Sequence, residues 1–172
     1  MAVNIRPQAA DAAGIAADIE AVRQIAYATW PDTFRDILTT AQIEYMLAWL
    51  YETDRLHRQV AAKEHVFHLA EVDGMPVGFV AHQLDYPEPG TAKIHKLYLL
   101  PSQQGKGIGR MLIDTVRRAA REASQQAVVL NVNKYNRATA FYLANGFSQV
   151  GEEVIDIGSG YVMDDFIMRT AL

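Results

Sequence analysis

Apolar residues change their spacing several times along the chain, and each change marks an element. Asn4 to Gln8 reads as a short extended segment. Asp11 then caps a helix whose Ile15, Ile19, Val22, Ala26 and Trp30 recur at helical spacing, and Pro31 is expected to stop it. Thr40 caps a second helix with Ile43, Met46, Leu47 and Leu50 as its apolar stripe. From Val66 the pattern becomes β-rich: Val66 to Val72 and Met75 to Leu84 flank Asp73-Gly74, a pair suited to the positive φ of a hairpin turn. Lys93 to Leu100 reads as a third consecutive strand ended by Pro101. Gly107 to Ala123 reads as a helix carrying Ile108, Leu112, Val116 and Ala119 inward. A strand over Val128 to Val132 follows, then a short helix capped by Asn136 and ended by Asn145-Gly146. Gln149 to Ile157 and Tyr161 to Met168 form a closing hairpin around Gly158-Ser159-Gly160. The order β-α-α-β-β-β-α-β-α-β-β, with no linker or repeat, predicts one α/β domain over residues 1–172.

Composition narrows the class. Half of the 172 residues are hydrophobic and 21% are charged, enough apolar material to cover both faces of a sheet. There is no cysteine, so disulfides, thiolate metal sites and a cysteine nucleophile are excluded. No run reaches the ~18 apolar residues of a membrane span, and the N-terminus lacks a secretory layout, so a cytoplasmic location without membrane association is expected. The net charge of −4 argues against general nucleic-acid binding. Its distribution is uneven: residues 1–100 carry 8 Lys/Arg and 13 Asp/Glu, residues 101–137 carry 7 and 2, and residues 138–172 carry 1 and 5. A basic island in an acidic chain suits a small polyanion, although a solvated helix face bearing Arg117, Arg118 and Arg121 accounts for part of it.

Candidate chemistry concentrates in Leu97-Tyr98-Leu99-Leu100-Pro101-Ser102-Gln103-Gln104-Gly105-Lys106-Gly107-Ile108-Gly109-Arg110. Alternate glycines between a strand and the first turn of a helix let backbone approach a ligand, and the unpaired N–H groups there suit phosphate oxygens. A Walker A loop is excluded by spacing, and Arg110 stands where a dinucleotide fingerprint needs its third glycine. A second segment, Asn136 through Phe141-Tyr142 to Gly146-Phe147, follows in order. Together the two segments resemble the GCN5-related N-acetyltransferase (GNAT) superfamily: Gln104-x-x-Gly107-x-Gly109 is similar to its acetyl-CoA motif, and the later residues to its Asn, Phe-Tyr and Gly-Phe landmarks. The resemblance runs from about Val66 to Phe147. It implies the GNAT fold, a mostly antiparallel mixed sheet of about seven strands with about four helices.

The same resemblance implies roles. Backbone groups of Leu97, Tyr98 and Leu99 would pair with the pantetheine arm of acetyl-CoA. The amides of Gln104, Gly105, Lys106, Gly107, Ile108, Gly109 and Arg110 would wrap its pyrophosphate. Asn136 would hydrogen-bond the arm, and Tyr142 would protonate the departing thiolate. Related enzymes often place a glutamate where this chain has His95, which is the first candidate for the base; Glu71 and His82 are reserves. Without a cysteine, direct attack of a small-molecule amine in a ternary complex is expected, with N–H groups near Leu99 polarising the thioester carbonyl. His57, His65 and His68 lack metal-ligand spacing, so no metal is expected.

For the acceptor, the segment Thr29 to Arg35, the helix from Thr40 and the ending Asp164 to Arg169 are similar to bacterial spermidine/spermine N-acetyltransferases. Asp32, Glu44, Asp164 and Asp165 are the carboxylates that would attract a polyamine. An aminoglycoside, amino acid or protein amine is the alternative acceptor, and a non-catalytic CoA-binding module the alternative class. The aromatic helices before Tyr51 and the closing hairpin offer surfaces for a homodimer.

Overall fold

Seven strands form one sheet, a computed structural model describing residues 2–172 shows. In chain order the elements are β1 (Val3–Pro7), α1 (Ala12–Phe34), α2 (Thr40–Leu50), α3 (Thr53–Ala61), β2 (Val66–Val72), β3 (Met75–Gln83), β4 (Thr91–Leu99), α4 (Ile108–Glu122), β5 (Ala127–Asn133), α5 (Ala138–Ala144), β6 (Ser148–Gly158) and β7 (Tyr161–Ala171). The strands lie in the order β1-β2-β3-β4-β5-β7-β6, antiparallel throughout except for the parallel pair β4 and β5. This is the mixed, mostly antiparallel α/β architecture expected, with five α-helices in place of about four.

Three helical features differ from expectation, for different reasons. Pro31 lies inside α1 and does not end it. A proline costs a helix the hydrogen bond to the carbonyl four residues back, but Trp30 and Phe34 on either side are each 2% exposed and pack with ring centroids 4.6 Å apart, which holds the last turn in place. The additional helix, α3, has only a two-residue apolar stripe, Leu56 and Val60, to announce it, and of its nine residues only Leu56 is fully buried. The cap of α2 is Thr39, whose side chain accepts from the Gln42 N–H, and not Thr40. The strands agree with the hydrophobic pattern to within three residues at their ends. Asp73 and Gly74 take φ of 50° and 81° and close the β2–β3 hairpin as their chemistry requires.

The sheet is covered on both faces. On one, α4 lays Leu112, Ile113 and Val116 against Val80, Leu130 and Met168. On the other, α1, α2 and α3 bring Trp30, Leu47, Tyr51 and Leu56 against Phe67, Phe79 and Ala81. An ion-pair triad ties the first strand to the first helix: Arg6 Nη2 is 2.7 Å from Asp18 Oδ1 and Arg6 Nε 2.6 Å from Glu71 Oε1. Asp18 also accepts from the Ala9 N–H at 2.8 Å. Burial opposes the charge of Asp18, yet these hydrogen bonds outweigh it and hold the carboxyl below its usual range.

Candidate active site

The site begins where the sheet comes apart. β4 and β5 pair only from Thr91↔Ala127 to Ile94↔Leu130, although β4 runs on to Leu99 and β5 to Asn133. A register shift in the β3–β4 ladder helps separate them. Ala81 faces Lys96 while His82 faces Ile94, which leaves His95 as the extra residue of a bulge. Leu100 N–H is spent on the Val77 carbonyl of β3. Strand alternation therefore turns the backbone groups of Leu97 and Leu99 toward the gap. There the Leu99 carbonyl accepts from Gln104 Nε2 and Thr29 Oγ1, each at 3.3 Å.

A cavity of about 1190 Å³ opens from this gap. At its end beyond β4 lies the glycine turn. Gly105 and Gly107 take φ of +76° and +82°, and a Cβ at either would stand in open space, so the turn is set by backbone conformation and not by crowding. Gly107 caps α4 with no side-chain hydrogen bond, leaving the N-terminal amides of this fifteen-residue helix available to an anion. Gly109 is small for another reason: a Cβ there would lie 2.9 Å from the Phe141 ring, so the absence of a side chain lets α4 and α5 meet. Gln104, Gly105, Gly107, Gly109 and Arg110 line the cavity, whereas the Ile108 side chain is buried in the core and the Lys106 ammonium lies outside, 3.3 Å from Gln103 Oε1. Arg137 lines the same region and was not among the candidates.

Asn136, Phe141 and Tyr142 line the opposite wall. Asn136 sits just ahead of α5, its Oδ1 accepting from the Ala138 N–H at 2.9 Å; the N-cap position itself is taken by Arg137, one residue later than expected. Tyr142 is 7% exposed, packed edge-on against Phe147 at 5.7 Å and tilted against Phe141 at 5.3 Å. Burial raises its phenol above the ordinary range, so it holds its proton at neutral pH.

The face of the sheet toward α1, α2 and α3 carries a second set of polar groups. Leu130, Val132, Phe166 and Met168 point into the α4 core. Their alternates, Asn131 and Asn133 of β5 and Asp165 of β7, therefore point the other way and line the cavity. Asp165 is 5% exposed, and its Oδ1 has no hydrogen-bond partner. Burial raises its carboxyl to about 6; the Asn131 amide opposes that rise and the charges of Glu153 and Asp164 add to it, with Lys93 opposing. Lys96, which sequence patterning did not single out, is 8% exposed, with Nζ 2.6 Å from His65 Nε2 and 5.6 Å from the centre of the Tyr51 ring. Burial, with a contribution from Arg55, lowers it to about 7.

The remaining candidates are placed less centrally. His95 lines the cavity, but its ring stacks 4.6 Å from His65 and its Nε2 is held 2.9 Å from Gln83 Oε1. Burial and the charges of Lys96 and Lys93 lower it to about 3, a weak base. Glu71 belongs to the Arg6 triad and His82 stacks with His68 at 5.7 Å; neither lines the cavity. Asp32 lines the cavity beside Arg35, whose Nη2 is 3.4 Å away. Glu44 is exposed on α2 and Asp164 is paired with Lys134 at 2.9 Å, both off the cavity. No cluster of His, Asp and Glu that could hold a metal occurs among the described residues. No described helix is long and apolar enough to cross a membrane.

Comparison with known proteins bears on the whole of this architecture. A sequence profile of the acetyltransferase (GNAT) family matches residues 19–147. An uncharacterised N-acetyltransferase encoded in the pepI 3′ region of Lactobacillus delbrueckii subsp. lactis is 27% identical over 150 residues, covering 84% of this chain and 86% of that one. Among solved structures, the PaiA N-acetyltransferase of Thermoplasma acidophilum in complex with coenzyme A superposes with a TM-score of 0.81 at 23% identity, covering all of both chains. A GCN5-related N-acetyltransferase of Rhodopseudomonas palustris gives 0.81 at 18%, covering 100% of this chain and 97% of its own.

Proposed function

The chain belongs to the acetyltransferase (GNAT) family, and from that premise we propose that residues 1–172 act as one unit that transfers acetyl from acetyl-CoA to a primary amine by direct attack in a ternary complex. The observation that carries this is the parting of β4 from β5 beside a left-handed glycine turn, with Tyr142 at the opening. Backbone groups of Leu97 and Leu99 face a strand-shaped gap suited to an extended amide-bearing arm, whereas those of Tyr98, expected to join them, are paired with Phe79 of β3; Asn136 lines the same cavity. The amides of Gln104 to Arg110 take the pyrophosphate, with Arg110 near by. The N–H of Leu99 polarises the thioester carbonyl. Tyr142, kept protonated by its surroundings, gives its proton to the sulfur as the C–S bond breaks. With no cysteine in the chain, no acyl-thioester on the protein is required.

The acceptor we favour is a polyamine, and the location we favour for the enzyme is the cytoplasm. Support comes from the carboxylates of Asp32, Asp36 and Asp165 along the cavity, while Glu44 and Asp164 would act only through the longer-range field. Lys96, with much of its charge removed at neutral pH, opposes a polycation less than an ordinary lysine would. A second reading rests on Lys93, whose ammonium in the cavity wall suits a carboxylate, hence an amino acid acceptor. A homodimer through the closing hairpin is supported by Val150, Val154 and Val162, which are 57%, 66% and 49% exposed on β6 and β7.

The test is thiol release from acetyl-CoA against spermidine, spermine, an aminoglycoside, amino acids and a lysine peptide. Turnover with an amine supports the proposal, and the preferred amine decides between the two acceptor readings. Tyr142→Phe is expected to lower kcat by about 100-fold with acetyl-CoA affinity changed less than threefold. An unchanged kcat would remove Tyr142 from proton transfer.

A further inference from the structure

An amine that arrives as an ammonium must lose a proton before its nitrogen can attack, and the groups first considered for that task are poorly placed. Glu71 and His82 lie off the cavity. His95 is turned onto Gln83 and His65, with its Nε2 engaged. One acidic group remains both deeply buried and free on the correct face. Asp165 lines the cavity, is 5% exposed, and leaves Oδ1 without a partner, while its other oxygen is 3.5 Å from Asn131 Nδ2. β7 holds it rigidly: its backbone is registered against Asn133 on one side and Glu153 on the other. It lines the same cavity as Leu99 and Tyr142. A buried carboxylate oxygen with no protein partner is costly unless something else is bound there.

We infer that Asp165 is the catalytic base of this protein, binding the acceptor ammonium through its unpartnered oxygen and taking a proton from it. The inference rests on the amine acetylation proposed above and names the residue that completes it. One proton passes from the ammonium nitrogen to Asp165 and on to solvent. The freed lone pair forms the C–N bond as the C–S bond breaks, and the electron pair leaves on sulfur. Sulfur takes the Tyr142 proton, and the second proton lost by nitrogen restores the phenol. One acetyl group is exchanged, and one proton is released overall.

The groups facing Asp165 set the expected pH behaviour. Lys93 on β4 favours its ionised form; Glu153 on β6 and Asp164 beside it on β7 disfavour it, as does burial; Asn131 on β5 supplies an uncharged hydrogen bond. Its carboxyl titrates at about 6, so at neutral pH it is mostly ionised and ready to accept a proton.

The experiment measures kcat/KM from pH 5 to 9 for the intact chain and for Asp165→Asn, Asp165→Glu and His95→Gln, with spermidine as acceptor and the other panel amines behind it. The wild type is expected to show an acid limb near 6, retained in His95→Gln. Asp165→Asn is expected to lose about 100-fold in kcat/KM at pH 7 and to lose that limb, its rate instead rising with the free-amine fraction toward an amine pKa of about 10. Asp165→Glu should recover part of the activity. Coenzyme A affinity of Asp165→Asn, by calorimetry, should match wild type. A limb that persists in Asp165→Asn with kcat/KM within threefold overturns the assignment while leaving acetyl transfer intact. If Asp165→Asn fails to fold, the Asp165→Glu profile decides, an unmoved limb overturning the inference. Wild-type silence toward every amine overturns the proposed function and this inference with it.

Discussion

Gly107 and Asp165 show how differently single residues declare themselves. Gly107 is visible in the sequence because alternate glycines ahead of an amphipathic helix have few structural uses, and its φ of +82° shows why a side chain is disfavoured there. Gly107→Ala is expected to cost about 1–2 kcal/mol from backbone strain alone, with a roughly tenfold or greater loss of coenzyme A affinity as the amides leave their aligned positions. Calorimetry and thermal melting measure the two effects separately, and unchanged affinity would show that the turn does not hold the ligand. Asp165 carries no such signature. In sequence it is one of five acidic residues in the last 35, and nothing distinguishes it from neighbouring Asp164. Strand alternation separates them: Asp164 reaches Lys134, and Asp165 turns to the opposite face. Lys96 was hidden in the same way, since a lysine in a strand reads as a solvated residue until the bulge at His95 and the cover of Tyr51 and His65 are known.

Elements were legible wherever burial follows a period. The two-faced pattern of α4, the Asp-Gly hairpin and the long β6–β7 pair all follow directly from residue order, because their apolar residues repeat at 3.6 or 2. α3 was not legible, having too few buried residues to set a period, and α1 runs past its expected stop to Phe34 because tertiary packing of Trp30 and Phe34 outweighs the local cost of Pro31. The separation of β4 from β5 was equally out of reach, since it depends on a ladder shift between strands and not on either strand alone. One glycine inside β3 connects this element to the site. A Cβ at Gly78 would lie 2.3 Å from Leu99 Cδ2 and 2.9 Å from the Tyr98 carbonyl oxygen, so it would press β4 toward the gap. Gly78→Ala is expected to destabilise by about 1–3 kcal/mol, lowering Tm by about 2–10 °C, and to weaken coenzyme A binding. A variant with wild-type melting and affinity would show that the two strands have room to spare.

Across the whole molecule, the buried bases dominate the response to acid. Burial lowers His65, His95 and His82 to about 2, 3 and 4, and also lowers His68. In the unfolded chain each would titrate near its ordinary value of about 6.5. The folded state therefore binds fewer protons, and stability falls as pH drops below about 6.5 toward the folded values, by up to about 1.4 kcal/mol per pH unit for each histidine. Lys96 acts in the same sense at higher pH, since its folded value of about 7 lies below its unfolded one. Tm is therefore expected to rise from pH 5 to pH 9 and to fall steeply below 6.5, before the carboxylate of Asp18 is protonated. A flat profile between pH 5 and 7 would show that the imidazoles are solvated.

The interrupted pairing of β4 and β5 would also tie substrate binding to the continuity of the sheet. Strand edges normally occur at the margin of a sheet, where another chain can reach them; here one lies in the interior, bounded by two strands that already belong to the fold. An arm of acetyl-CoA occupying that cleft would act as a temporary eighth strand, making one continuous sheet from β1 to β6. Substrate occupancy and mechanical continuity would then be the same property, so each turnover would end with β4 and β5 parted again beyond Ile94 and Leu130.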